Sequence, residues 1–403
     1  MKLLFTSTSA ESHLRTLLPV VQTAVAAGHE VRLAAPADLA RVIEALGVRH
    51  VEAGIDLIAA APPAMASMMA AVRDDPAAMT AMMREPKVDV VNTVMASPEA
   101  AVPLARDVLE HGERWRPDAL VRTASEMGGA LAAEVWGIPQ VMVATGAALM
   151  LDFDVAARTL EPARAALGLA PASSAEWLVP DLTAALMPDA WALPKLRGRV
   201  EHYQHTNIRT DSVLDARYAS ADGARPFVFA ALGTQAGRGH FAGFSSGLLR
   251  AVIAGLGRLD CDAVVAVGAQ RDPEAFGPAP ANVTLVKVAP QQQLLGGCDL
   301  FVTHGGFNSI RESVRAGTPV LVTPLFGDQP VNAERCAEFG FGQVLDVDGI
   351  TADAVADAVR TALATPSLGW RARAWQRRML SLPPLEALVS DVEKLVVDAA
   401  VTR

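Results

Sequence analysis

From Val302 to Gln329 the chain reads Val-Thr-His-Gly-Gly-Phe-Asn-Ser-Ile-Arg-Glu-Ser-Val-Arg-Ala-Gly-Thr-Pro-Val-Leu-Val-Thr-Pro-Leu-Phe-Gly-Asp-Gln. Cys298 to Thr303 is a short, apolar, β-prone run and predicts a strand. His304, Gly305 and Gly306 then permit a tight turn with the backbone open to a ligand. A helix is expected from about Phe307 to Ala316, stopped by Gly317 and Pro319. Its first N–H groups and the positive end of its dipole would face whatever lies beyond the strand's carboxyl end, which suits two linked phosphates. His304 would add a hydrogen bond or a positive charge. The next strand, Val320 to Thr323, stops at Pro324 and brings Asp328 and Gln329 toward the same mouth. A ligand with an anionic centre and a hydroxyl-rich end fits this description: a sugar nucleotide.

With 403 residues there is room for two α/β domains, each with its own core. The 51% apolar content, rich in Ala, Val and Leu and poor in aromatics, suits helices packed on parallel sheets. Thirty-five basic against 44 acidic side chains leave a formal charge of −9, which argues against nucleic acid as a partner. Mean hydropathy is +0.26, yet no run approaches the roughly 18 apolar residues of a membrane span. Lys2 and the very short apolar run after it read as a first strand, not a signal peptide, so a cytoplasmic location is expected. Cys261, Cys298 and Cys336 lack metal-ligand spacing and read as free thiols, with no metal site.

Strands alternate with helices along most of the chain. Leu3–Thr8, Glu30–Ala35, Asp118–Arg122 and Pro139–Ala144 are the expected strands of the first half. Phe227–Leu232, Ala263–Val267, Val283–Val288, Asp299–Thr303 and Val320–Thr323 are those of the second. Such alternation implies parallel strands with right-handed crossovers. Two stretches break the pattern: the Met-rich segment Pro62–Met95, and Met150–Val200, which carries Trp177 and Trp191 and reads as short helices and loops. Both are acceptor-pocket candidates, with a Met-rich core as the plain alternative. The expected division is residues 1–205, a polar linker at 206–225, and residues 226–403.

His-Gly-Gly-x-Asn-Ser-x-x-Glu, then Gly-x-Pro, then Pro-x-x-x-Asp-Gln, resembles the donor-site signature of GT-B glycosyltransferases that use UDP- or TDP-sugars, above all the bacterial natural-product branch. The resemblance is closest over Asn282–Gly342 and good over Leu3–Pro36. It implies two Rossmann-like doubly wound domains facing across a cleft, the first binding acceptor and the second donor. It also implies an inverting reaction without a catalytic metal, and a C-terminal helix that often returns to the first domain. By this resemblance His304, Gly305, Gly306 and Asn308 meet the diphosphate, Gly233 and Thr234 the outer phosphate, and Val288 and Gln291 the base-binding turn. Glu312 grips the ribose diol and Asp328 with Gln329 the hexose hydroxyls. Ser309 and Glu312 also fit a helix capping box, and for Ser309 the two readings stay open. Plant members carry Trp where this chain has Val288, so the choice between uridine and thymidine stays open.

Inverting transfer needs a base for the acceptor's proton. His13, opening a helix after the first strand, has an ordinary pKa suited to that task. The family often adds an acidic partner on the strand beginning Pro-Asp, but the matching position here is Thr123; Glu126 is the substitute candidate. His111, His202, His205 and His240 read as surface residues. The expected protein is an O-glycosyltransferase moving a hexose from UDP to a hydroxyl of an apolar small molecule, with no cofactor beyond the co-substrate. A homodimer is left open. The rival readings are a TDP-deoxysugar donor, a sugar-nucleotide epimerase or hydrolase on the same fold, and a non-enzymatic activating partner.

Overall fold

A computed structural model of the chain describes residues 1–56, 90–191, 196–208, 213–219, 223–233 and 241–402. The chain divides into two compact units, and the first takes in the C-terminal residues 382–402 as well as the N-terminal half.

The first unit is built on a seven-stranded sheet: β1 (Lys2–Thr6), β2 (Glu30–Ala35), β3 (Arg49–Glu52), β4 (Ala119–Thr123), β5 (Gln140–Val143), β6 (Leu182–Ala185) and β7 (Val200–His202). The strands are all parallel, in the order β3-β2-β1-β4-β5-β6-β7. Helices α1 (Glu11–Ala26), α2 (Ala40–Glu44), α3 (Pro98–Gly112), α4 (Gly128–Trp136) and α5 (Phe153–Ala166) connect them. The central strands, buried on both faces, are mostly apolar, while the edge strands β3 and β7 are partly exposed and polar. Leu3 and Phe5 of β1 join one core, which includes Leu14, Leu17 and Val21 of α1, and Leu4 joins the opposite one, with Leu104 and Val108 of α3.

The second unit has six parallel strands, β8 (Phe227–Ala231), β9 (Asp262–Ala266), β10 (Val283–Val286), β11 (Leu300–Thr303), β12 (Val320–Val322) and β13 (Gly342–Val344), in the order β10-β9-β8-β11-β12-β13. Its helices are α6 (Phe241–Leu256), α7 (Gln291–Leu294), α8 (Phe307–Ala316), α9 (Gln329–Glu338), α10 (Ala352–Leu363) and α11 (Pro366–Leu380). The last helix, α12 (Leu385–Thr402), belongs to the first unit, where Leu385, Leu388, Val389 and Val392 complete the core beneath α1.

Both sheets reverse strand order beside their first strand, at β1/β4 and at β8/β11, and the loops at the carboxyl ends of those strands are where an open α/β sheet binds ligands. The two units share a local device there. Asp118 Oδ2 accepts from Lys2 N at 2.7 Å and Asp299 Oδ2 from Phe227 N at 2.8 Å, each pinning the start of the switch strand to its neighbour.

The stretch 150–200 holds more regular structure than short helices and loops, namely α5 and β6. Trp191 is a core residue, 1% exposed, whereas Trp177 is half-buried and stacks against the Arg164 guanidinium at 4.5 Å. His205 is buried, not on the surface. Residues 57–89, most of the Met-rich segment, lie outside the described residues, as do Thr234 and His240.

Candidate functional site

In the second unit the site forms where β11 gives way to α8. Gly305 takes φ +83°, a left-handed conformation, and a Cβ there would come within 2.5 Å of Val322 Cγ1, so glycine is required twice over. Gly306 precedes α8 without a side chain to cap it, so the helix's first N–H groups depend on partners from elsewhere. The His304 ring fills the space between two glycines: a Cβ on Gly233 would lie 2.6 Å from its Cε1, and one on Gly306 would collide with its Nε2. Burial lowers the His304 pKa to about 4, against the opposing hydrogen bond to the Ala231 backbone. The imidazole is therefore neutral near pH 7 and offers a hydrogen bond, not the positive charge that was the alternative.

The same helix carries a buried cation that its sequence did not single out. Arg311, one turn further along α8, is 1% exposed and donates through Nη2 to Asn308 Oδ1 at 2.7 Å. That bond occupies the amide oxygen of Asn308 and fixes which way the amide faces. The Nε and Nη1 atoms of Arg311 are buried without a hydrogen-bond partner. Burial lowers its pKa to about 10, which still keeps it cationic at neutral pH. The i, i+3 spacing of Asn308 and Arg311 was the available signal.

Because α8 begins at Phe307, Ser309 and Glu312 stand inside the helix, and no capping box forms. Glu312 is buried and accepts from Gln291 Nε2 at 2.7 Å and Gln292 Nε2 at 2.9 Å; Gln291 also lies 3.5 Å from Ser309 Oγ. Two amides thus hold the carboxylate in one orientation, with further lone pairs for a diol. Val288, in the turn after β10, is 61% exposed, as an open face against a planar base would be.

Asp328 and Gln329 open α9 and are already partly engaged. Asp328 Oδ2 accepts from Phe307 N at 3.2 Å and from Asn332 Nδ2 at 2.8 Å, tying the start of α9 to the start of α8. Burial raises its pKa to about 6 despite those bonds. Gln329 Oε1 accepts from the backbone of Leu325 and Phe326, so its amide NH2 is the end left to meet a ligand. Asn332, also missed in the sequence, is fully buried; its Nδ2 reaches Gly305 O at 2.9 Å and its Oδ1 has no partner.

In the first unit the corresponding loops bring His13 and Ser125 together. His13 Nδ1 lies 2.8 Å from Ser125 Oγ and 3.3 Å from Thr8 Oγ1. Burial depresses the His13 pKa to about 4, so the ring is neutral, the form that accepts a proton. Glu126 does not take the place expected of it. Its carboxylate, 1% exposed, accepts from Thr6 Oγ1 and from Gly129 N at 2.8 Å, on the interior side of the turn. Burial raises its pKa, partly offset by the Thr6 bond. Side chains at successive turn positions point apart, which is why Ser125 reaches the imidazole and Glu126 does not.

Among the described residues no group of three or more His, Cys, Asp or Glu side chains is placed to hold a metal ion, and no helix is long and apolar enough to cross a membrane.

Residues 22–195 match the N-terminal domain model, and residues 250–395 the C-terminal domain model, of the erythromycin biosynthesis protein CIII-like family. The TDP-daunosamine transferase DnrS of Streptomyces peucetius is 27% identical over 98% of this chain and 97% of its own. The NDP-glycosyltransferase YjiC of Bacillus subtilis is 31% identical over 35% of this chain, a match spanning only 36% of that relative's length. The spinosyn rhamnosyltransferase SpnG, solved with thymidine diphosphate, superposes with a TM-score of 0.75 at 22% identity, covering 98% of this chain and 100% of its own.

Proposed function

Since this chain belongs to the erythromycin biosynthesis protein CIII-like family of glycosyltransferases and has the GT-B fold, we propose that it moves a hexose from a nucleoside diphosphate to a hydroxyl of an apolar natural product, with inversion. The observation that carries this reading is the start of α8, where Gly306 brings no capping side chain and Asp328 takes the Phe307 N–H, with neutral His304 seated between Gly233 and Gly306 and Arg311 buried behind Asn308. Backbone N–H groups, an imidazole and the Asn308 amide receive the diphosphate; Glu312 takes the ribose diol, and Asp328 with the Gln329 amide takes the sugar. His13, with its free Nε2, is the general base toward the acceptor.

Two donors are in view. Asp328 and Gln329 favour a fully hydroxylated sugar such as a UDP-hexose. The relatives favour a TDP-linked sugar, since DnrS is named for one and SpnG was solved with the nucleotide. The epimerase, hydrolase and activating-partner readings find no such support, because these relatives are named as transferases. Calorimetry with UDP and with TDP, followed by mass-spectrometric turnover of UDP-glucose and TDP-sugars against a panel of phenolic and polyketide hydroxyls, tests the proposal. Failure of both nucleotides to associate overturns it.

A further inference from the structure

Among the described residues two hydroxyls, and no carboxylate, meet the imidazole of His13. Ser125 Oγ is 2.8 Å from Nδ1 and Thr8 Oγ1 is 3.3 Å from it. They come from the ends of two adjacent strands, β1 and β4, whose register pairs Thr6 with Arg122. The turn that carries Ser125 is pinned from below. Arg122, wholly buried, donates to the carbonyls of Thr123 at 3.4 Å and Glu126 at 3.2 Å, and Glu126 is itself held by Thr6 and Gly129. With its neighbours fixed, the Ser125 hydroxyl is a placed group.

The charged groups on the surrounding elements are engaged elsewhere. On α1, Glu11 pairs with Arg15 at 3.1 Å. On β2, Glu30 accepts from Arg32 and Trp115. On α12, Asp391 accepts from Tyr203 and Lys394, and Glu393 lies against His29. Burial alone accounts for the depressed pKa of His13, with no charge partner among its causes.

Resting on the assignment of His13 as base, we propose that Ser125 is the positioning residue that holds His13 as its Nδ1–H tautomer in place of a carboxylate, and that the acceptor carries an already acidic hydroxyl, a phenol or an enol. A serine oxygen can accept from Nδ1–H and so leave the Nε2 lone pair facing the acceptor. Unlike a carboxylate it brings no negative charge to stabilise the imidazolium that forms. In the transfer step the acceptor's O–H proton passes to Nε2, the oxygen's electron pair forms the bond to the anomeric carbon, and that carbon's bond to the diphosphate oxygen breaks with its pair leaving on the diphosphate. A neutral, half-buried imidazole with no anionic partner is a weak base, so the step is served best by a hydroxyl such as a phenol, with a pKa of about 10, which yields its proton far more readily than an aliphatic alcohol does.

Long-range proton–nitrogen NMR on the full chain labelled in histidine reads this directly, the His13 signals being assigned by their loss in His13→Gln. The expected spectrum is the neutral Nδ1–H tautomer at pH 7, a tautomer mixture in Ser125→Ala, and a titration midpoint raised by about one unit or more in Ser125→Asp. With TDP- or UDP-glucose and a series of 4-substituted phenols, Ser125→Ala should lower kcat by about tenfold with KM little changed. Ser125→Thr should restore it, and Ser125→Asp should gain on aliphatic alcohols relative to phenols. An Nε2–H tautomer in the native chain, or spectra unchanged by Ser125→Ala, overturns the proposal. Should Ser125→Ala not fold, the Thr and Asp variants carry the same two readouts. If the spectra behave as expected but His13→Gln keeps full transfer, the base assignment fails while the hold of Ser125 on the ring stands.

Discussion

The imidazole of His304 occupies the space that any side chain on Gly306 would need, although the backbone of Gly306 (φ −59°, ψ 142°) is one that alanine adopts without strain. A methyl group there acts on the ring and not on the chain path. Gly306→Ala is therefore expected to keep the fold and displace His304, weakening TDP or UDP binding by about tenfold or more in calorimetry, the size of one lost hydrogen bond to a charged group. Unchanged affinity would show that the ring does not meet the diphosphate.

Arg311 is a buried cation with two unpartnered nitrogens, a costly arrangement unless an anion arrives. Arg311→Met removes that cost and also the bond to Asn308 Oδ1. The expected result is stability equal to or above that of the native chain in denaturant unfolding, with nucleotide affinity lowered by about tenfold. A variant that binds nucleotide as tightly as before would reduce Arg311 to a packing residue.

Asp328 gives a pH signature. Its folded pKa of about 6 lies above the unfolded value of about 3.9. The folded state therefore holds the extra proton between these values and loses stability as pH rises through that window. Asp328→Asn removes the penalty, and its new NH2 can donate to the orphaned Asn332 Oδ1. Allowing for partial exposure, it should be more stable than the native chain by about 1–2 kcal/mol at pH 7.5 and gain little at pH 4. Hexose transfer should fall steeply while nucleotide binding persists; equal loss of both would remove Asp328 from the sugar site.

For Glu126 the expectation concerns folding. Glu126→Gln keeps an acceptor for Thr6 and Gly129, and because burial already disfavours the charge, unfolding free energy should change by less than about 1 kcal/mol. Glu126→Ala strands both donors and should cost about 2–4 kcal/mol. The acid limb of the pH–rate profile, set by His13, should not move in the Gln variant. A shift of a full unit would return Glu126 to the reacting centre.

Much of this was legible in the residues, for reasons that can be named. The helix Phe307–Ala316 stood out because Gly305, Gly306 and Gly317 bracket it, and Gly317 does end it in the left-handed region at φ +75°. Strands such as Phe227–Ala231, buried on both faces, read as unbroken apolar runs. Strands β3, β6, β7 and β13 lack the three consecutive β-prone apolar residues that mark the equally short β11 and β12, so nothing local marked them. Ser125 was hidden by chemistry: the resemblance points to a carboxylate, and a serine between Ala124 and Glu126 carries no motif until the sheet sets it beside His13. Asn332 escaped because its interest lies in what it fails to pair with, a property of burial and not of order along the chain, whereas Arg311 had its i, i+3 spacing from Asn308 to mark it.

The return of α12 to the first unit imposes an order on biosynthesis. Residues 385–402 leave the ribosome only after all of residues 213–381, so the second unit can close its core while the first still waits for Leu385, Leu388, Val389 and Val392. The nascent amino-terminal half must therefore stay shielded from aggregation until translation is nearly finished. A premature stop within that final stretch would injure the domain that was made first.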